Sequence, residues 1–242
     1  MSRKLNVVAI TLGILLAGTA APTVAQPIPV SGVILPEILE EPGKGPYFDF
    51  AQELAKRSGL QFKINLGPIA RAAKTFNDGD ALCLYPSITD NVTAKYVMTQ
   101  SFNWVKFFVY TRPDTPAISD LSALKGKRVG TVIGYDYGGL VQKQGLTADA
   151  AQDEETNIKK LAAGRLDALI GARQDVELAL KRLKMAPLNH DATKPVYQID
   201  DAMLCADTPQ GHAVVEKVNT AIKSMLAEGA VKPLLGDIYG EP

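Results

Sequence analysis

Apolar positions along the chain follow two periods in turn. Tyr47, Phe50, Ala51, Leu54 and Ala55 recur at helical spacing, and Gly59 stands where such a helix would close. The pattern predicts a helix over 47–56. Residues 60–66, LQFKINL, alternate apolar and polar side chains as a half-buried strand does. Val30–Leu35 reads as a strand ended by Pro36, Ala70–Phe76 as a helix closed near Gly79, and Ala81–Tyr85 as a third strand. This β-α-β-α-β order belongs to a parallel sheet with covering helices.

The pattern then restarts. Val105–Thr111 and Lys127–Ile133 read as strands, separated by a capped turn from Ser119 through Leu124. A helix is expected after the glycines of 134–139, and a weak strand near Ala148 precedes a helix over 154–163 stopped by Gly164. Leu166–Ile170 is a strand, and Gln174–Lys184 a helix with Val176, Leu180 and Leu183 on one face. Ala202–Ala206 is the last strand. A long helix follows it, with Val214, Val218, Ile222 and Met225 as its stripe and Gly229 at its end.

Two β/α units of similar size imply two lobes, and the final strand and helices return to the first. The expected fold class is α/β, with each lobe a mostly parallel sheet flanked by helices. Lobe 1 takes residues 26–100 and 196–242, and lobe 2 takes 101–195. The crossings are expected near 100–104 and 191–197. Ligands of open α/β sheets bind outside the carboxyl ends of the strands, so two such sheets put the site in the cleft between lobes.

Composition narrows this further. Of 242 residues 46% are apolar, and 26 Lys+Arg balance 26 Asp+Glu, which gives no basic surface for nucleic acid. Arg3 and Lys4 precede an apolar run over 5–17, and Thr23-Val24-Ala25 supplies small residues for cleavage. Residues 1–25 therefore read as an export signal peptide too short to be a membrane span. The two cysteines, Cys83 and Cys205, are equally compatible with a disulfide and with buried thiols.

The stretch GTVIGYDYGGL (130–140) carries a glycine-rich turn after a strand. A phosphate loop needs Lys and Ser/Thr after its last glycine, and a dinucleotide fingerprint needs Gly-x-Gly-x-x-Gly; neither spacing occurs here. What remains is a tight turn at Gly134, the polar and aromatic side chains of Tyr135, Asp136 and Tyr137, and an expected helix N-terminus able to hold a polar acceptor.

GPYFDFA (45–51), GPIARA (67–72), SIT (87–89), AKYV (94–97), LKGKRVG (124–130) and LAAGRLDA (161–168) occur in an order that resembles solute-binding protein family 3. These are the periplasmic binding proteins of polar amino-acid ABC importers, and the resemblance spans the mature chain. It implies the hinged two-lobed fold of a type II periplasmic binding protein, acting without cofactor, metal or chemistry. A monomer would close on a small polar solute and dock on an ABC permease at the inner membrane. It also implies that the last strand runs antiparallel beside the third, which would bring Cys83 and Cys205 together in a disulfide.

The family's residues carry over only in part. Its carboxylate-binding Arg would stand at Val92 or Thr93, and its ammonium-binding Asp near Ala172, so both halves of the amino-acid clamp are missing. A hydroxyl does not replace a bidentate Arg. Arg71 and Arg173 are the expected substitutes, favouring an anionic or zwitterionic solute, with Asp136 available to an ammonium. Tyr47, Ser87, Thr89, Trp104, Tyr135 and Tyr137 complete the expected ligand set. His190 and His212 lack partners at metal spacing and read as solvated. The acidic pairs Glu40-Glu41, Glu154-Glu155 and Asp200-Asp201 likewise read as solvated faces. The resemblance admits two rivals to transport: a soluble sensing subunit for a membrane receptor, and a cyclohexadienyl dehydratase-like enzyme using Glu37 or Asp136 as its acid.

Overall fold

The computed structural model describes residues 26–40, 42–89, 91–135 and 137–241. The expected signal peptide, residues 1–25, and Asp136 lie outside the described residues.

Helix α1 (Pro46–Ser58) shows how the local sequence sets an element. Pro46 occupies its first turn, Asp49 faces the positive end of its dipole, and Lys56 and Arg57 face the negative end. Tyr47, Phe50, Ala51 and Leu54 are buried, and Gly59 closes the helix in the left-handed conformation with φ 66°. Gly45 has φ 101°, and a side chain there would run into the Ile38 carbonyl. The chain can enter α1 at this angle only on glycine.

The first sheet joins β1 (Ile28–Val33), β2 (Phe62–Gly67), β3 (Cys83–Tyr85), β4 (Tyr96–Met98) and β10 (Leu204–Ala206) in the order β2-β1-β3-β10-β4. The second joins β5 (Asn103–Tyr110), β6 (Val129–Val132), β7 (Ala148–Ala151), β8 (Ala168–Ala172) and β9 (Tyr197–Asp201) in the order β7-β6-β8-β5-β9. Helices α2 (Ile69–Asn77), α4 (Glu154–Ala162), α5 (Arg173–Leu183) and α6 (Pro209–Ala227) flank the sheets, and α7 (Val231–Leu235) packs on α1. The architecture is the two-lobed α/β fold expected from the apolar pattern. Cys83 lies opposite Cys205 in the antiparallel β3–β10 pairing, and the two are joined as a disulfide.

Four details depart from the sequence expectation. The sheets are evenly mixed: β1–β2, β1–β3, β6–β7 and β6–β8 are parallel, while every pairing of β5 and β10 is antiparallel. Strands that enter from the other lobe arrive in the reverse direction. β9 belongs to the second sheet, so the second crossing is Ala202–Met203 rather than 191–197. The alternation of Tyr197 and Ile199, which pack on the sheet, with Gln198 and Asp200 was its signal. β4 is three residues long and too short to show a period. After the glycine turn, the expected helix is only a four-residue α3 (Leu140–Lys143), because Tyr137, Gly138 and Gly139 all take positive φ. That removes the helix N-terminus foreseen beside Gly134.

The crossings are bonded to each other. Phe102 donates its backbone N–H to Asp201 O (2.9 Å), and Thr99 donates to Met203 O (2.9 Å). Beside them the fully buried Asn103 donates Nδ2 to Tyr47 Oη (2.7 Å) and accepts the Gly240 N–H at Oδ1 (2.7 Å). Asn103→Ala strands the buried Gly240 N–H and removes the hydrogen bond that the buried Tyr47 hydroxyl accepts. It should lower stability by about 2–3 kcal/mol, read as a shift of the urea unfolding midpoint.

Candidate ligand cleft

A cavity of about 400 Å³ lies between the lobes. Its first-lobe wall follows the ends of β1 and β2: Ile34, Leu35 and Pro36, then Pro68, Ile69 and Ala70 at the start of α2. Its second-lobe wall follows β6 (Val132, Ile133, Gly134 and Tyr135), the start of α4 (Gln152, Asp153 and Glu154) and α5 (Asp175, Leu178 and Arg182). Every wall is a carboxyl-end junction of a strand or the helix that follows one, the position α/β sheets reserve for ligands.

The lobes touch around this cavity. Asn91 Nδ2 donates to Gly134 O (3.2 Å), and Arg182 of the second lobe pairs with Glu37 of the first (3.1 Å) while also holding Glu155 (2.6 Å). A Cβ on Gly134, whose φ is 99°, would come within 3.2 Å of Ile69 Cβ, so glycine permits the approach. A second void of about 20 Å³, room for about one water, lies deeper between Tyr47, Tyr135, Gln174, Asp175 and Asp201.

Acidic side chains line the cleft, from the exposed Asp153 to the buried Glu154. Glu154, at the first position of α4, is 8% exposed, and its Oε2 has no hydrogen-bond partner. Burial, and then Asp175 and Asp153 nearby, hold its carboxyl well above the usual range. Burial raises Asp175 to about 7, with Arg182 opposing the rise. Asp201, 4% exposed, is raised to about 7 by burial against the hydrogen bond it accepts from Tyr47. Tyr135 feels Asp175, Glu154 and Asp201 together, and burial followed by these charges pushes its phenol up.

Of the residues expected to hold ligand, Tyr135 alone among the described ones lines the main cavity. It packs edge-on to Phe107 at 5.8 Å. Tyr47 borders only the small inner void, and its hydroxyl is committed to Asp201 and Asn103 at the crossings. Ser87, 2% exposed, accepts the Ala202 N–H (2.9 Å) and so pins the second crossing. Tyr137 is a core residue whose hydroxyl accepts the Val132 N–H (2.8 Å). Thr89 lies outside the lining residues of these cavities. So does Trp104, because the alternation of β5 turns Val105 and Phe107, not Trp104, toward the inner void. Arg71 is exposed beside Gly67, and Arg173 borders a separate cavity near Asp237 while pairing with Glu177 (3.3 Å). Asp136 lies outside the described residues.

Glu154, Asp175, Arg182 and Asp201 were missing from the sequence-based set. Two of them belong to acidic pairs read as solvated, and each pair splits. Glu154 and Asp201 are buried while Glu155 is part-exposed and Asp200 exposed. The strand alternation that hid β9 also hid Asp201. His190 likewise leaves solvent in part, packing on Tyr110 at 4.8 Å and Phe108 at 5.2 Å, whereas His212 is exposed beside Asp207.

Two sheets, two mutually bonded crossings and a cavity at the carboxyl ends of both sheets define a type II periplasmic binding-protein fold. No family model matches the chain. It is 21% identical over 215 residues to the probable amino-acid-binding protein YxeM of Bacillus subtilis (strain 168), covering 85% of this chain and 75% of that one. A putative L-cystine ABC transporter structure from Listeria monocytogenes superposes with TM-score 0.68 at 20% identity, over 89% of this chain and 98% of that one. A histidine kinase sensor domain with similarity to periplasmic binding proteins superposes with TM-score 0.74 at 15% identity, over 90% and 98%. The fold is shared with the two solved structures, and the likeness to YxeM is consistent with the family 3 resemblance of the sequence.

Proposed function

We propose that this chain is an exported solute-binding protein that captures a small solute by lobe closure and delivers it to an ABC permease at the inner membrane. The observation that carries the reading is the cavity between the lobes, walled by carboxyl-end junctions of both sheets. A solute there touches both lobes, and only its contacts to the second lobe, added on closure, favour the closed state. The amino-acid-binding and ABC-transporter descriptions of two relatives support the transport role. The Cys83–Cys205 disulfide fits an oxidising compartment, in keeping with an export signal over residues 1–25.

The anionic part of the sequence expectation loses its support, because Arg71 and Arg173 stand outside the cavity and its lining acids are Asp153, Glu154 and Asp175. A second reading, a soluble sensing subunit, draws on the fold shared with the kinase sensor domain. Loss of solute uptake on deletion of the gene favours transport, and intact uptake favours sensing.

Binding itself is tested by thermal shift of the mature protein, refolded to strip carried solute, against amino acids, amines, dicarboxylates and aromatic acids. A solute at about 100 times its Kd adds roughly 2.7 kcal/mol, which for a chain of this size is about 5–11 °C. No shift with any class would overturn the reading.

A further inference from the structure

Two isoleucines occupy matching places in the two lobes. β1 lies between β2 and β3, and β6 lies between β7 and β8, so the two strands are counterparts. Ile34 is the first residue past β1, and Ile133 the first past β6. Each donates its backbone N–H to the last residue of the neighbouring parallel strand, Ile34 to Gly67 O (2.9 Å) and Ile133 to Ala151 O (2.8 Å). The sheets therefore fix both positions, one on each wall of the main cavity. Ile34 is 38% and Ile133 50% exposed, and among the described residues only Tyr96 and Met98 are large apolar side chains as open as these. One exposed isoleucine needs no explanation. A pair at equivalent positions on opposite walls of one cavity does.

The neighbouring side chains follow the same chemistry. Leu35 and Ile69 extend the first-lobe wall, and Tyr135 and Leu178 the second. Tyr135 and Leu178 also reach across to pack on first-lobe core residues. The charged side chains of the lining are engaged elsewhere. Arg182 is held by Glu37 and Glu155, and Asp153 accepts the Thr156 N–H at the start of α4 (2.8 Å). Glu154 has one carboxylate oxygen shut off from solvent and the other seated over Gly171. Asp175 borders the small inner void as well as this cavity. A polar group placed between the isoleucines would leave water and find no partner in their side chains, whereas an apolar group gains by covering them.

We propose that the solute carries a branched aliphatic or aromatic body clasped between Ile34 and Ile133, and that this pair of side chains selects it. The assignment rests on the solute-binding reading and names the class of solute for that same cavity. It departs from the polar solute that the family resemblance implies. A cavity of about 400 Å³ takes a small molecule. Lobe closure brings the second isoleucine onto a body already lying against the first. Selection then follows from how well the body covers both side chains, whatever polar end the solute carries.

Isothermal titration of the refolded mature protein with matched pairs of solutes tests this: leucine against asparagine, phenylacetate against succinate, and cyclohexylamine against 1,4-diaminobutane. The members of each pair share a polar end and differ in body. In at least one pair the apolar member should bind, and about tenfold or more tighter than its polar counterpart. Ile133→Ala and Ile34→Ala should each weaken that binding roughly tenfold. Tyr96→Ala, at an exposed position on β4 outside the lining, should leave it unchanged. Melting curves identify a variant that fails to fold, and the other isoleucine variant then carries the test. Polar members that bind as tightly as apolar ones, or apolar binding untouched in the isoleucine variants, would overturn the assignment and leave a solute-binding protein. So would a thermal-shift response confined to solutes without an apolar body. No binding of any solute class would remove both readings.

Discussion

Substituting Cys83 and Cys205 together by alanine should lower the melting temperature by about 8–16 °C, a loss of about 4 kcal/mol. The two residues are 122 apart in sequence and bonded between neighbouring strands of the first sheet. The loop they close contains every strand of the second sheet, from β5 to β9. In the unfolded chain that crosslink removes more freedom than one across a short turn would, because loop entropy grows with loop length. Both cysteines are fully buried in the first-lobe core with Phe102 and Met203, so the alanine pair also leaves a small packing defect. Calorimetry of the variant beside the parent protein gives the number. A fall of less than about 2 °C would mean that the unfolded chain is already restrained between these points.

The second large effect is a stability that declines as pH rises. Asp201 titrates at about 7 in the folded protein, against about 3.9 when unfolded. Over the interval between those values the folded state binds the proton more tightly than the unfolded state. Its contribution is complete below about pH 4 and is lost as pH rises through about 7, amounting to roughly 4 kcal/mol. Asp175, also raised to about 7, acts in the same direction, and Glu154 adds to it. Asp201→Asn keeps an acceptor for the Tyr47 hydroxyl and removes the titration. Urea unfolding at about pH 5 and about pH 8 should show the parent protein losing several kcal/mol and the variant losing distinctly less. Equal losses in the two proteins would show that Asp201 is not the group responsible.

The fold was legible because its long elements repeat their period many times. α1, α4, α5 and α6 each bury one stripe, and Gly59, Gly164 and Gly229 stand just past helix ends with positive φ. What escaped was short or borrowed. β4 has three residues, and β9 takes its partner from β5 rather than from its neighbour in sequence. The site was harder to read for a physical reason. A side chain's distance from the cleft depends on which face of its element turns inward, and a tyrosine or serine looks the same in either place. Tyr137 and Ser87 sit near the cleft in sequence but spend their hydroxyls on Val132 and Ala202 N–H groups. Glu154-Glu155 and Asp200-Asp201 misled in the opposite sense, since two adjacent carboxylates suggest solvent and only the backbone shows that one of each turns in.

The bonded crossings have a consequence for how the molecule can be observed. Phe102 to Asp201 and Thr99 to Met203 tie the two connections into one ribbon, continuous with the β5–β9 pairing. Such a ribbon bends across its strands more readily than it twists or shears, as hinges between domains generally do. Opening should therefore collapse onto one coordinate. A single distance between two labels, one on each lip of the cleft, would then be enough to report the state of the whole protein.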